Sequence, residues 1–208
     1  MAIFADRAHA GRELAAVLAP WRGTEAVVLG IPRGGVVVAA EVARELALPL
    51  GVAVVRKLGA PRHEEYAVGA IAEGVRYVDP EALHHSRVTP EQLASVEDAE
   101  RAELQRRTAL FEQTHLDVEG HTAIIVDDGV ATGATATAAC RAQRARGAAQ
   151  IVLAVPVAPS SWVPADVDEY VCPHREPDFW AVGQFYDDFT QTRDEEVARL
   201  LARDLPDE

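Results

Sequence analysis

The sequence predicts an α/β fold, a mostly parallel sheet covered by helices on both faces. Three observations carry that expectation. Short apolar runs recur along the chain, each closed by glycine, proline or a polar turn. Stretches with apolar residues three and four apart lie between them, the spacing of helices with one buried face. The runs themselves are apolar throughout, as strands buried on both faces are. The 208 residues fit one domain of ordinary size with a substantial core, and 49% hydrophobic with 25% charged residues marks a globular chain.

Asp6 is placed to cap a helix carrying Ala10, Leu14, Val17 and Leu18, stopped by Pro20. Residues 26–30 read as a buried strand, followed by the turn Pro32-Arg33-Gly34-Gly35 and a helix with Val38, Val42 and Leu46. Residues 50–55 form the next buried strand, and 56–62 a loop. Two strand-like runs, 66–72 and 75–78, flank Gly74 at a hairpin turn. Thr89-Pro90-Glu91-Gln92 then opens a long charged helix with a capping box. Glu97 with Arg101 and Glu103 with Arg107 are favourable pairs on its solvent side. Residues 122–126 and 151–155 are two more strands around an alanine-rich helix ending near Gly147. From Pro156 onward prolines and aromatics cluster, which reads as a small lobe over the C-terminal edge of the sheet.

Charge and cysteine usage narrow the function. A net charge of −13 argues against general nucleic-acid binding, which depends on phosphate neutralisation by Lys and Arg. No apolar run approaches the roughly 20 residues needed to cross a bilayer, and nothing at the N-terminus reads as a signal peptide. Cys140 and Cys172 have neither metal spacing nor the number for a disulfide framework, which favours the cytoplasm.

The chemistry concentrates in Ile124-Ile125-Val126-Asp127-Asp128-Gly129-Val130-Ala131-Thr132-Gly133-Ala134-Thr135. A strand ends in two adjacent carboxylates and runs into Thr-Gly-Ala-Thr at the start of a helix. Ligands of open α/β sheets sit at the C-terminal ends of strands, and free amides at a helix N-terminus bind phosphate. Thr132 and Thr135 add hydroxyls. Two acids beside a phosphate cradle need other partners, such as ribose hydroxyls or a Mg2+ ion. An ordinary acidic strand end and a helix cap would explain each part singly, but not all of them in this order. The absence of a Gly-Lys-[Ser/Thr] ending excludes a Walker A loop.

This stretch resembles the phosphoribosyl pyrophosphate (PRPP) signature of the type I phosphoribosyltransferases, and the order of strands and helices on both sides is similar. The resemblance implies a doubly wound sheet with a small hood: one domain over 1–208, with 156–192 contributing the hood. It implies transfer of phosphoribose from PRPP to a nitrogen acceptor, with Mg2+ as cofactor and a homodimer as assembly. In the family, Asp127 and Asp128 would hold the ribose, and residues Ala131, Thr132, Gly133, Ala134 and Thr135 the 5′-phosphate.

Arg33, Gly34 and Gly35 occupy the place of the family's pyrophosphate loop, where the resemblance also implies a cis non-proline peptide near Arg33 and Gly34. Arg56 and Lys57, the latter the only lysine in the chain, end the next strand where several family members meet the pyrophosphate. Arg62 falls at the start of the lid as a weaker candidate; His63, Glu64 and Glu65 read as solvated loop. Phe179 to Asp188 is similar to the hood of 6-oxopurine phosphoribosyltransferases. That likeness makes Trp180 the ring that stacks on a base and Asp187 a further metal ligand beside Asp127 and Asp128. Two departures separate this chain from those enzymes: Ala131 replaces an Asp that can take the base proton, and 155–158 lacks their lysine. Arg106, Arg107, His84 and His85 read as surface residues, and Cys140 as core filler. A PRPP- or nucleotide-sensing protein without transfer activity is the alternative, weakened by the lack of a spare helix-turn-helix. A phosphate-ester hydrolase lacks a recognisable nucleophile.

Overall fold

A computed structural model describes residues 2–61, 63–111 and 116–202. Helix α1 (Arg7–Val17) leads into β1 (Val27–Gly30), α2 (Gly34–Leu46) and β2 (Leu50–Val52). Then come β3 (Val55–Ala60), β4 (His63–Ala72) and β5 (Val75–Val78), the short α3 (Pro80–Ser86) and the long α4 (Pro90–Leu110). Strand β6 (Thr122–Val126), α5 (Ala134–Ala145) and β7 (Gln150–Ala154) resume the βα alternation. The chain continues through β8 (Val157–Pro159), β9 (Glu169–Val171), β10 (His174–Glu176) and α6 (Asp194–Ala202). Among the described residues no helix is long and apolar enough to cross a membrane.

The main sheet has the order β2-β1-β6-β7-β9, and every neighbouring pair is parallel. In the inner strands the side chains alternate between two cores, which is why their interiors are apolar on both faces, while the edge strand β9 is only partly buried. Val28, Ile124 and Val152 face α1, α2 and α6 with Leu14, Val42 and Val197. Leu29, Ile125 and Leu153 face the other way, onto α5 with Ala139 and Cys140. From β1 the chain moves outward to β2, and from β6 in the opposite direction to β7 and β9. The reversal opens a crevice at the C-terminal ends of β1 and β6, where Gly30 and Val126 are paired in register.

Strands β3, β4 and β5 form a separate antiparallel sheet. The single strand expected over 50–55 thus ends at Val52, and β3 of the other sheet runs from Val55 to Ala60 through residues expected as loop. The Ala53 N–H still bonds Gly30 O, but Val55 pairs with Ala72. The backbone of 63–65, expected as loop, begins β4; Arg62 lies outside the described residues. One face of this sheet packs Leu58, Val68 and Ile71 under Leu93 and Leu104 of α4. The capping box at Thr89 and Gln92 is present, and Gly74 turns the hairpin at φ +68°. Glu97 bonds Arg101 as expected but also Arg76 of β5, so its carboxylate straps α4 to the hairpin and is not simply solvated. Val17 falls outside the buried stripe of Ala10, Leu14 and Leu18 and is half exposed.

The lobe expected from the tail also draws in the start of the chain. The Ile3 and Phe4 N–H groups donate to Phe185 O, and the Asp187 and Asp188 N–H groups donate to Phe4 O and Ala5 O. Phe4 is fully buried against Ala10, Val157, Phe185 and Tyr186. Phe4→Ala should therefore cost about 3–5 kcal/mol in denaturant unfolding. A loss below about 1 kcal/mol would show that residues 3–5 do not hold the lobe to the sheet.

Candidate active site

Two loops meet in the crevice. The one after β1 runs Ile31-Pro32-Arg33, with a cis peptide between Pro32 and Arg33, and Gly34 and Gly35 open α2. The other follows β6 and carries Asp127 to Gly133 before α5 begins at Ala134. They touch so closely that glycine is obligatory in the first. A Cβ on Gly34 would stand 2.0 Å from Asp128 Oδ2, and one on Gly35 would stand 2.8 Å from Asp127 Cα and Oδ1.

The acidic pair is enclosed and held from several sides. Asp127 Oδ1 accepts the Asp128 N–H at 2.9 Å. Asp128 Oδ2 accepts Arg7 Nε at 2.7 Å, and the Tyr186 hydroxyl donates to the Asp128 carbonyl at 2.6 Å. Burial, with the neighbouring Asp128 charge adding to it, holds the Asp127 carboxyl well above the usual range. Burial raises Asp128 as well, against the opposing pull of Arg7.

Beyond the acids, Gly133 adopts φ +83° and caps α5, whose first amides have no acceptor within the helix. A cavity of about 200 Å3 lies in front of this turn. Lys57, Asp127, the 129–133 loop, Thr135 and Val182 line it. The indole of Trp162 covers the turn so tightly that a Cβ on Gly133 would stand 2.4 Å from its ring. A larger groove of about 700 Å3, between α4 and the β4–β5 turn, is lined by Arg101, Gln105 and Thr108 and contains none of these groups.

The model of the phosphoribosyl transferase domain matches residues 5–190, which takes in both loops and most of the C-terminal lobe. The chain belongs to this family. Two Mycobacterium tuberculosis proteins, from strains CDC 1551 and H37Rv, bear the name "putative phosphoribosyl transferase" and are 48% identical over 98% of this chain. The chain spans about half the length of these curated relatives, 47%. The crystal structure of TT1426 from Thermus thermophilus is 40% identical, with a TM-score of 0.76 over 98% of this chain and 99% of that one.

Within this phosphoribosyl transferase domain the expected residues divide. Asp127, Asp128, Gly34, Gly35, the 131–135 loop and Lys57 gather at the crevice. Arg56 does not join them. Side chains alternate along β3, so Arg56 points to α4 and its Nε bonds Glu100 Oε2 at 2.6 Å while Lys57 faces the cavity. The Arg33 guanidinium lies 3.9 Å from Asp194 Oδ1 of α6, on the rim. Trp180 is 90% exposed, so it is no part of a lobe core. Asp187 is exposed, and among the described residues no three His, Cys, Asp or Glu side chains converge on one point. The set Asp127, Asp128 and Asp187 is therefore not a closed cage. Arg106 pairs with Glu103 on the surface, and Cys140 is buried, its thiol pushed up to about 12.

Sequence reasoning missed Arg7 and Trp162. Arg7 lies 121 residues from Asp128 on a helix with no motif, and Trp162 sits in the β8–β9 connection. Only the fold brings either to the loops.

The raised Asp127 carboxyl has a consequence for stability. A group whose folded pKa is raised contributes stability below the ordinary carboxylate range and loses it as pH rises through the folded value. At neutral pH the ligand-free protein carries that cost. Asp127→Asn, whose amide oxygen can still accept the Asp128 N–H, should therefore raise the thermal midpoint at pH 8. The gain should shrink as pH falls toward about 4. Equal or lower midpoints for the variant at pH 8 would refute this account of the acid.

Proposed function

We propose that the protein transfers the 5-phosphoribosyl group of PRPP to a nitrogen acceptor, a nucleobase, and releases pyrophosphate. The observation that carries the reading is the partly buried Asp127–Asp128 pair, set between a glycine loop and the bare amides of a helix N-terminus. Each part suits one portion of PRPP. The amides after Gly133 and the hydroxyls of Thr132 and Thr135 would take the 5′-phosphate. Asp127 and Asp128 would accept hydrogen bonds from the ribose hydroxyls. The backbone at Gly34 and Gly35, with Arg33 and Lys57, would meet the pyrophosphate. Arg56, engaged with Glu100, is left out of that role.

The chemistry asks little covalent work of the side chains. The bond from ribose C1 to the pyrophosphate oxygen breaks, the bond from C1 to the acceptor nitrogen forms, and the acceptor loses its proton. Carboxylates fixed beside the ribose stabilise the positive charge that develops there, and they do so best where water is excluded. Carboxylate oxygens beside a diphosphate suit Mg2+. Asp127 and Asp128 would supply protein ligands, and PRPP oxygens and water would complete the set; Asp187, which does not converge with them, is left out of that role. When bound, Mg2+ would offset charge on the departing pyrophosphate. Trp180, exposed beside the 182–185 turn, offers its ring face to a planar acceptor.

The test is pyrophosphate release from PRPP and Mg2+ over a panel of purine and pyrimidine bases, with a no-base control. Release should depend on one base or a small set. The variant Asp127→Asn/Asp128→Asn should lower it by roughly a hundredfold or more, and Trp180→Ala should raise the acceptor KM more than it lowers kcat. PRPP binding without release across the panel would favour a sensor, and absence of PRPP binding would overturn the reading.

A further inference from the structure

Arg7 belongs to no motif, yet its side chain ends inside the candidate site. It is the first residue of α1, whose start Asp6 fixes by accepting the His9 N–H at 2.7 Å. Its guanidinium is held at three points by parts of the chain remote from it. Nε donates to Asp128 Oδ2 at 2.7 Å, Nη1 donates to Thr190 O at 2.8 Å, and the group stacks 3.9 Å from the centre of the Phe189 ring. Only 11% of the side chain is exposed.

We propose that Arg7 is a positioning residue of the transferase site, fixing one oxygen of Asp128 so that the other is presented to a ribose hydroxyl of PRPP. The inference rests on the function proposed above and adds a residue to it. Two adjacent carboxylates repel, and a free Asp128 side chain would rotate away from Asp127 toward water. The guanidinium opposes that rotation with a directional, charge-assisted bond. Gly34 closes over the pair: a Cβ there would meet Asp128 Oδ2 at 2.0 Å and Arg7 Nε at 2.6 Å. With the two side chains only 11% and 15% exposed, the pair is screened less than a surface ion pair. The backbone of Asp128 is held as firmly, by the Tyr186 hydroxyl. Main chain and carboxylate are thus fixed by different elements, as a preorganised site requires.

A purely structural role, in which Arg7 only pins α1 to the hood through Thr190 and Phe189, predicts different behaviour. The discriminating experiment is calorimetric titration of PRPP with Mg2+ into wild type, Arg7→Met, Asp128→Asn and the double variant, with thermal midpoints measured alongside. Each single variant should weaken PRPP binding about tenfold, and the double variant should bind no worse than Asp128→Asn alone. Arg7→Lys keeps the charge but cannot reach Asp128 and Thr190 together, and should recover part of the loss. Losses that add in the double variant would overturn the proposal.

Should Arg7→Met fail to fold, Arg7→Lys is compared with Phe189→Leu, which removes the ring and leaves Asp128 alone. Weakened PRPP binding in the first and near-normal binding in the second supports positioning, whereas equal weakening overturns it. A wild-type protein that does not bind PRPP overturns the functional reading and this proposal together. Wild-type binding without coupling overturns the proposal alone.

Discussion

Two carboxylates side by side at the end of a buried strand are the constraint to which the rest of this structure answers. Strand β6 is central in the sheet and apolar on both faces, so Asp127 and Asp128 emerge from the least hydrated part of the molecule. Placing them there costs stability, and every neighbouring feature limits or exploits that cost. Asp127 takes a backbone N–H, Asp128 takes a guanidinium, and two glycines in the facing loop leave room for both.

The antiparallel sheet and the hood stand on opposite sides of this crevice and serve it differently. Strand β3 lies between α4 and α5, so its alternation decides which basic side chain reaches the cavity. Lys57 does and Arg56 does not. The C-terminal lobe places Val182 in the cavity wall and acts from outside it through the Tyr186 hydroxyl and the Phe189 ring. Trp162, from the start of the same lobe, lies across Gly133, so the turn before α5 is walled by an aromatic ring. None of these three aromatics belongs to the signature, yet each touches a residue that does, or its partner Arg7.

Much of the framework was legible because it rests on local rules. Uniformly apolar runs identified β1, β2, β6 and β7 but not the edge strand β9, whose Glu169-Tyr170-Val171 reads as part of the lobe. Thr89 and Gln92 marked the start of α4, and Gly74 the hairpin turn. The acid pair and the Thr-Gly-Ala-Thr turn were legible for the same reason: the chemistry lies within a dozen consecutive residues. What was not legible depends on contacts between distant segments. Residues 50–55 read as one strand because apolarity cannot show the chain changing sheets at Ala53. Arg56 and Lys57 looked equivalent because adjacent residues on a strand differ only once the sheet's two neighbours are known. Arg7 offered no signal, since an arginine on a short helix is ordinary until the fold carries it to Asp128.

The bond from Arg7 to Thr190 joins residues 183 apart, and Phe4 pairs with Tyr186 over a similar span. Such contacts are the most expensive a folding chain makes, because they close the longest loops. During synthesis the acid pair, the glycine loop and the Gly133 turn all leave the ribosome well before their clasp can form. The central sheet must therefore assemble around an exposed pair of carboxylates. The two ends of the matched domain can meet over them only once the residues near 190 have been made, so closure of the site comes late in biogenesis.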